Sequence, residues 1–159
     1  MSEDSAKIRE MTEADLEAVS EIELDVFTDP WPTSVFLEDI ASDYSHPFVV
    51  QWDNDIVAYA ILWQGVDEGH LTNIAVAKNY QRKSIAQKLL SFILQFASEA
   101  GLTQVLLEVR LSNEAAIALY RKFGFIDLAI RKNYYTHPRE DCLMMIKYLG
   151  GETDIQIGE

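Results

Sequence analysis

The sequence has little cysteine, little histidine and no long apolar run, and these shortages exclude several classes of protein. Among 159 residues there is one cysteine, Cys142, so no disulfide can form within the chain. The three histidines are widely separated and have no cysteine at ligand spacing, which argues against a metal site. No window approaches the roughly eighteen uninterrupted apolar residues of a membrane span, and the N-terminus lacks a secretory pattern. We expect a soluble cytoplasmic protein without a metal and without membrane association.

Positive charge is also scarce. The chain has 26 acidic residues against 13 lysines and arginines, a net charge of −13, which argues against a general nucleic-acid binder. The charge is unevenly distributed, because residues 1–77 carry seventeen acidic and two basic side chains, whereas residues 78–147 carry six acidic and eleven basic ones. The acidic part of the chain suits a cationic partner, and the basic part could hold an anion.

Apolar residues are abundant, at 48% of the chain, which is enough for one globular domain with a substantial core. We expect this domain to cover residues 1–149. A flexible acidic tail is expected over residues 150–159, where paired glycines and acidic residues follow the last apolar run.

Helices are predicted where apolar residues recur with a period near 3.6. The first stripe consists of Leu16, Val19, Ile22, Leu24 and Phe27. This helix should end before Pro30, and a short helix should begin at Thr33. The period over Ser84–Ala100 predicts a long helix that ends before Gly101. Asn113 is a good N-cap for a helix that covers Glu114–Phe123 and ends at Gly124.

Strands are predicted at seven β-prone runs, and their alternation with the helices indicates a mixed α/β fold with a hairpin near each end of the chain. The runs are Ala6–Met11, Pro47–Trp52, Ile56–Trp63, His70–Val76, Gln104–Val109, Phe125–Ile130 and Cys142–Tyr148.

A basic segment lies where the fourth strand passes into the long helix. Residues 78–88 contain four basic side chains and no acidic one. Because a helix start offers unpaired backbone N–H groups and the positive end of a dipole, this segment is a candidate phosphate site. A solvated basic loop explains the composition equally well.

Motifs around this segment resemble the GNAT N-acetyltransferase superfamily. Asn73–Val76 followed by Tyr80–Ala86 is similar to its acetyl-CoA signature, whose loop reads Gln/Arg-x-x-Gly-x-Gly/Ala. Further blocks resemble one branch of that superfamily, the bacterial ribosomal-protein-alanine N-acetyltransferases, which modify the N-terminal alanine of a small-subunit ribosomal protein. These blocks are Leu107–Asn113, Ala116–Tyr120, Phe123–Phe125, Arg131–Tyr135 and Arg139–Asp141.

The resemblance implies an α/β single-domain GNAT fold, with a central, mostly antiparallel twisted sheet flanked by helices. It implies acetyl-CoA as cosubstrate, with no metal. Backbone groups of Ile74, Ala75 and Val76 would pair with the pantetheine arm. Backbone N–H groups would hold the pyrophosphate at Arg82, Lys83, Ser84, Ile85, Ala86 and Gln87. Ser84 departs from the pattern, since glycine is usual there, and its side chain could narrow the phosphate cradle or donate a compensating hydrogen bond.

Acyl transfer to an amine requires a base, because an α-amino group with a pKa near 8 is mostly protonated at neutral pH. Glu108 ends an apolar run, where burial would raise its pKa, although a glutamate at a strand end is often the exposed partner of a basic residue. The resemblance implies that Glu108 is the general base and that Tyr120 is the general acid. Tyr120 could also pack on a helix face, and Asn113 could be an N-cap, a cofactor contact or both. An N–H group near Ala75 and Val76 would stabilise the oxyanion, in a direct transfer that uses no nucleophilic cysteine.

The resemblance implies that Trp31, Tyr134 and Tyr135 lie in segments that face the acceptor. Trp31 could equally belong to the core. In a regular strand the two adjacent tyrosines would face opposite sides. Glu140 and Asp141 could bind a basic peptide or pair with Arg131 and Lys132 instead.

The implied partner is the N-terminal peptide of a ribosomal protein, with no nucleic acid and no membrane involved. A small-molecule amine as acceptor and a non-catalytic acyl-CoA-binding module are the alternatives. The sequence does not fix the oligomeric state.

Overall fold

The computed structural model describes residues 6–81 and 84–150. Arg82, Lys83 and the predicted tail beyond Gly150 lie outside the described residues. The strands are β1 (Ala6–Glu10), β2 (Ser45–Trp52), β3 (Asp55–Gln64), β4 (Glu68–Val76), β5 (Gln104–Arg110), β6 (Ile126–Thr136) and β7 (Arg139–Tyr148). The helices are α1 (Leu16–Val26), α2 (Thr33–Ala41), α3 (Ile85–Glu99) and α4 (Glu114–Lys122). The hydrogen-bonded strand order is β1-β2-β3-β4-β5-β7-β6, which confirms the predicted mixed α/β fold.

Contacts between residues divide the chain into two compact units. The first unit extends to Trp63 and includes Leu71–Ile93, and the second contains Gln64–His70 and the described chain from Leu94 onward. Strand β4 therefore contributes to both units. The interpretation of residues 1–149 as a single domain stays a prediction.

The first unit contains the predicted early hairpin. Strand β1 pairs antiparallel with β2, and β2 pairs antiparallel with β3. The turn between β2 and β3 includes Asp53, which has a φ of 56°. Aspartate tolerates this left-handed conformation better than most residues, which explains the Asp-Asn-Asp sequence of the turn.

Apolar burial holds α1 and α2 in the first unit. The cluster includes Val19 from α1 and Phe36 from α2, and both are fully buried together with Tyr59 and Ile61 of β3. The Phe36 and Tyr59 rings meet edge to face, with centroids 5.5 Å apart. Fully burying side chains of this size contributes roughly 1.5–3 kcal/mol each, so these contacts fix how α1 and α2 lie on the strands.

The second unit is arranged around β7, which pairs antiparallel with β5 on one side and β6 on the other. Residues 142–146 of β7 are buried, and Cys142 is a free, fully buried thiol. Burial raises the pKa of this thiol, which opposes a nucleophilic role. By contrast, β6 is exposed along its whole length except at Tyr135.

Two predictions about these elements were wrong in detail. Leu24 is 67% exposed and does not belong to the apolar stripe of α1, where the charged residue Glu23 is buried instead. Strands β6 and β7 also extend beyond the predicted bounds and form a long hairpin that turns at His137 and Pro138. Its outer part is polar and exposed, so it carries no apolar pattern.

Among the described residues, no helix is long and apolar enough to cross a membrane. Within the same part of the chain, no group of three or more histidine, cysteine or acidic side chains is placed to hold a metal ion.

Candidate active site

Glu108 is mostly buried and is hydrogen-bonded to a histidine that the sequence did not associate with it. Glu108 lies in β5 opposite Met144 of β7, and its side chain is 18% exposed. Its Oε1 atom is 2.6 Å from Nε2 of His70, a residue of β4 that belongs to the same unit. At this distance the two groups are hydrogen-bonded, and which of them donates follows the histidine tautomer. Carboxylates and imidazoles are both side chains that act as general bases in enzymes.

Tyr120 lies on α4 and is 6% exposed. Its ring packs on Phe125 with centroids 5.7 Å apart, so the predicted packing role is confirmed for this contact. Burial raises the pKa of the Tyr120 hydroxyl, which therefore stays protonated throughout the neutral pH range and remains available as a hydrogen-bond donor.

Asn113 is the N-cap of α4. Its Oδ1 atom accepts a hydrogen bond from the backbone N–H of Ala116 at 3.2 Å. The helix therefore begins where the sequence predicted, and its start fixes the position of Tyr120 two turns later. At the other end, Gly124 has a φ of 95° and ends the helix as expected. The contact between Asn113 and the cofactor stays a prediction.

Tyr134 and Tyr135 lie close to Glu108 at the outer part of β6. Burial and then the charge of Glu108 raise the pKa of Tyr134, and burial together with Cys142 raises the pKa of Tyr135. The two rings do not face opposite sides of a regular strand, since they meet edge to face with centroids 5.0 Å apart. The pairing of β6 with β7 is irregular between Arg131 and Tyr135, and Asn133 has a φ of 53°.

Arg110 and Glu140 stabilise the turn of the β6–β7 hairpin. The Arg110 guanidinium donates hydrogen bonds to the carbonyl oxygens of Pro138 and His137 at 2.9 and 3.2 Å. It also pairs with Glu140 at 3.2 Å and lies 4.2 Å from the centre of the Tyr135 ring. Glu140 thus pairs with Arg110 and not with Arg131 or Lys132, the pairing that the sequence left open as one of two alternatives.

Asp141, the neighbour of Glu140, pairs with Lys132, in agreement with one of the two alternatives that the sequence left open. Its carboxylate is 3.6 Å from the Lys132 ammonium and accepts a hydrogen bond from the backbone N–H of Asn133.

The segment proposed for the cofactor lies in the first unit, at the end of β4 and the start of α3. The Val76 carbonyl already accepts a hydrogen bond from the Gln81 side chain at 3.0 Å. The N–H of Lys88 donates a hydrogen bond to the carbonyl of Ser84 at 3.1 Å, and the amides of Ile85 and Ala86 lie in the first turn of α3, at the positive end of the helix. Ser84 has a φ of 64°, the left-handed conformation for which glycine is favoured.

Trp31 is half-buried between α1 and α2, so its predicted membership of the core is partly confirmed. Its ring packs on Phe36 with centroids 5.8 Å apart. Its backbone N–H donates to Oε2 of Glu23 at 2.9 Å. Glu23 also accepts hydrogen bonds from the Tyr59 hydroxyl and from the Asn73 amide.

The structure brings Glu108, Tyr134 and Tyr135 together, and it adds His70 and Glu23 to the residues found from sequence. His70 looked isolated because its partner lies 38 positions away. Glu23 looked like a surface residue because it is charged and occurs in an acidic helix. The sequence position of Glu23, one residue after Ile22 and four before Phe27, puts it on the buried face of α1 and was the available signal of its burial.

Comparison with known proteins identifies close relatives over nearly the whole chain. Residues 16–125 match the family model described as the acetyltransferase (GNAT) family. The ribosomal protein bS18-alanine N-acetyltransferase of Escherichia coli (strain K12) is 36% identical over 140 residues, covering 87% of this chain and 94% of the relative.

Solved structures show the same architecture. The crystal structure of the ribosomal-protein-S18-alanine N-acetyltransferase from Escherichia coli matches with a TM-score of 0.85 and 34% identity, covering 92% of this chain and 97% of that chain. Arabidopsis thaliana NAA60 in complex with acetyl-CoA matches with a TM-score of 0.83 at 15% identity, which shows a shared fold. That match covers 92% of this chain and 99% of the other.

Proposed function

Because the chain belongs to the GNAT acetyltransferase family, we propose that it transfers the acetyl group of acetyl-CoA to the N-terminal alanine of ribosomal protein bS18. The observation that supports the proposal is the hydrogen bond between Glu108 and His70, since it involves a mostly buried carboxylate that the resemblance implies to be the general base. The names of the relatives support the acceptor.

The residues at the end of β4 and the start of α3 fit acetyl-CoA. The amides of Ile85 and Ala86 lie at the positive end of a fifteen-residue helix, which suits a pyrophosphate. Backbone groups of Ile74, Ala75 and Val76 would hold the pantetheine arm. Since the Val76 carbonyl is already bonded to Gln81, we expect Val76 to contribute its N–H.

Glu108 would take the proton from the acceptor ammonium, directly or through a water molecule, so that the neutral amine can attack the thioester carbonyl. His70 would hold the Glu108 carboxylate in one orientation through the 2.6 Å hydrogen bond. The backbone N–H of Ala75 or Val76 would stabilise the oxyanion that forms.

Tyr120 would assist departure of the sulfur. As the C–N bond forms and the C–S bond breaks, CoA leaves as a thiolate and needs a proton. Burial keeps the Tyr120 hydroxyl protonated, so it can donate to the departing sulfur. The fully buried Cys142 takes no part in this direct transfer.

The acceptor would be bound by Trp31, Tyr134 and Tyr135. The rigid hairpin turn held by Arg110 supports this role for the tyrosines, because a fixed aromatic surface binds a peptide with little loss of conformational freedom. The acidic residues 1–77 would attract a basic ribosomal protein.

The test is mass spectrometry of an alanine-starting bS18 peptide after incubation with the protein and acetyl-CoA. An increase by one acetyl group at the N-terminus is expected, and its absence when both substrates are bound would contradict the proposal. Competition with polyamines, aminoglycosides and amino acids tests for a small-molecule acceptor. Binding of acetyl-CoA without transfer to any amine would indicate a binding module instead.

Two substitutions test the roles of the catalytic candidates. Glu108→Gln and Tyr120→Phe should each lower kcat by roughly 10²–10⁴-fold and leave the Kd for acetyl-CoA nearly unchanged, because each removes a proton-transfer group. Matched controls are Glu99→Gln, an exposed glutamate at the end of α3, and Tyr148→Phe, an exposed tyrosine at the end of β7. Equal rates in the test and control variants would exclude these roles.

A further inference from the structure

A buried carboxylate in the first unit has no part in the mechanism above. Glu23 lies in α1 and is 2% exposed. Its Oε1 atom accepts hydrogen bonds from the Tyr59 hydroxyl of β3 and from Nδ2 of Asn73 in β4, the latter at 3.0 Å. Its Oε2 atom accepts the backbone N–H of Trp31 at 2.9 Å. One side chain therefore joins a helix, two strands and a loop.

An apolar side chain at position 23 would be enough to bury this face of α1, so the hydrogen-bonded carboxylate needs an explanation. A buried carboxylate loses its hydration, and the three donors named here are neutral, so hydrogen bonds alone offset that loss. Replacing buried charged groups by packed apolar side chains is often neutral or stabilising, so stability alone does not explain the carboxylate. Its two oxygens contact different segments of the chain, which indicates a further effect.

Each oxygen of Glu23 holds a different segment of the first unit. Oε2 fixes the backbone at Trp31, in the short connection between α1 and α2. Oε1 fixes Asn73, the residue directly before Ile74–Val76. Because the carboxylate is planar and rigid, it sets the distance between these two segments. Contacts of the Phe36 ring with the rings of Trp31 and Tyr59 give the same region a second, apolar connection.

We propose that Glu23 is a positioning residue that couples the acceptor loop at Trp31 to the cofactor strand at Ile74–Val76. The proposal rests on the functions assigned above to those two segments. With the coupling intact, the acceptor amine is held at one distance from the thioester, and the space for the first side chain of the acceptor is limited. Loss of the coupling weakens acceptor binding and lets larger first residues compete with alanine.

Glu23→Gln tests this coupling with little change in shape. The amide offers one acceptor oxygen and one donor nitrogen, so its NH₂ group must face either the Trp31 N–H or the donors of Tyr59 and Asn73. We expect the KM for the acceptor peptide to rise roughly tenfold, the effect of losing one buried hydrogen bond to a charged group. The Kd for acetyl-CoA and kcat should change by less than about threefold, and the preference for alanine over leucine as first residue should fall.

Two further variants separate coupling from stability. Asn73→Ala removes the link to β4 and should raise the acceptor KM in the same direction. Tyr59→Phe removes a bond to the same carboxylate but leaves the chain Trp31–Glu23–Asn73 intact, so its acceptor KM should stay at the wild-type value. If Glu23→Gln does not fold, the comparison of Asn73→Ala with Tyr59→Phe still decides the question.

Asp39→Asn is the matched control. Asp39 is a second buried carboxylate of the first unit, 4% exposed, and it accepts hydrogen bonds from Ser45 and from the Trp63 indole, both at 2.8 Å. Its substitution should lower stability without raising the acceptor KM. Equal acceptor KM values for Glu23→Gln, Asn73→Ala and Asp39→Asn would overturn the proposal.

Hydrogen exchange distinguishes failure of this inference from failure of the proposed function. The Trp31 amide should exchange faster in Glu23→Gln than in Asp39→Asn, whatever the acceptor is. An unchanged exchange rate would overturn the coupling even if the wild type acetylates the peptide. Faster exchange in Glu23→Gln, combined with a wild type that acetylates no peptide, would support the role of Glu23 in holding the Trp31 loop. The same result would contradict the proposed peptide acceptor.

Discussion

Ser84 adopts a backbone conformation that L-amino acids rarely take, with a φ of 64° at the start of α3. The conformation costs a residue with a Cβ roughly 1–2 kcal/mol, and glycine adopts it freely. Ser84→Gly should therefore raise the free energy of unfolding, by up to about 1 kcal/mol after allowance for the greater freedom of glycine in the unfolded chain. Urea unfolding followed by circular dichroism measures this change.

The same substitution should tighten the binding of CoA if the serine side chain crowds the phosphate cradle, and calorimetry measures the Kd. Ser84→Ala is the control, because it keeps the Cβ and removes only the hydroxyl. Weaker binding by both variants would show that the hydroxyl contacts the cofactor. No gain in stability with glycine would contradict the strain argument.

Single residues could be predicted where their role depends on near neighbours in sequence. Asn113 as an N-cap and Gly124 as a helix end follow from local backbone chemistry, and both are confirmed. The departure at Ser84 was recognised from the motif, whereas its conformation required the structure. The Glu108–His70 pair joins residues 38 positions apart, so no local pattern indicates it.

At the scale of an element, the start of α1 is held by an ion pair that responds to pH. The Arg9 guanidinium donates two hydrogen bonds of 2.9 Å to Asp15, whose carboxylate also accepts the Thr12 N–H at 2.8 Å. The bond from Arg9 is the largest cause that lowers the pKa of Asp15. A lowered pKa in the folded state adds stability above the unfolded pKa near 3.9, and this stability is lost as the pH falls through the folded value.

Asp15→Asn should lower the free energy of unfolding by about 1 kcal/mol at pH 7, at the low end for a charged hydrogen bond because Arg9 is 40% exposed. The difference from wild type should shrink as the pH falls below the unfolded pKa near 3.9 and through the lowered folded pKa. Thermal unfolding over a series of pH values measures it. Asp25→Asn is the control, since Asp25 and Lys78 are exposed and 3.7 Å apart. A difference independent of pH would show that the Asp15 charge does not contribute.

Elements could be predicted where one face is buried. Strands β2 to β5 and helix α3 have apolar periods, and their predicted bounds agree with the structure to within a few residues. The outer half of β6 lacks such a period, because both of its faces are exposed and its pairing with β7 is irregular. The burial of Glu23 was not predicted, because a charged residue gives no apolar signal. Hydrogen bonds from other segments of the chain stabilise its buried carboxylate.

At the scale of the whole molecule, the uneven charge predicts a salt-dependent affinity for a basic acceptor. Residues 1–77 carry seventeen acidic side chains, and charges farther apart than about 30 Å at 0.01 M salt, or about 8 Å at 0.15 M, are screened from each other. The KM for an alanine-starting peptide with downstream lysines should rise several-fold over this range, as steady-state kinetics can show. A peptide with glutamines in place of the lysines is the control. An equal response of both peptides would assign the acidic residues to solubility.

The fold class could be predicted from the order of strand and helix patterns, together with the resemblance of the motifs. The strand order could not, because β7 lies between β5 and β6 although it follows both in the chain. This placement depends on buried residues of β7 that contact partners far away in sequence. The position of the tyrosines of β6 relative to Glu108 follows from the same pairing.

Strand β6 is the last strand in the order, and it exposes Ile126, Leu128 and Ile130. A straight outer edge with these side chains would invite strands of other molecules to add on. The pairing of β6 with β7 shifts twice, between Asp127 and Ala129 and again before Tyr135, so the edge is kinked and offers no continuous row of hydrogen-bonding groups. We therefore expect the irregular strand that carries the tyrosines to disfavour edge-to-edge association of concentrated protein.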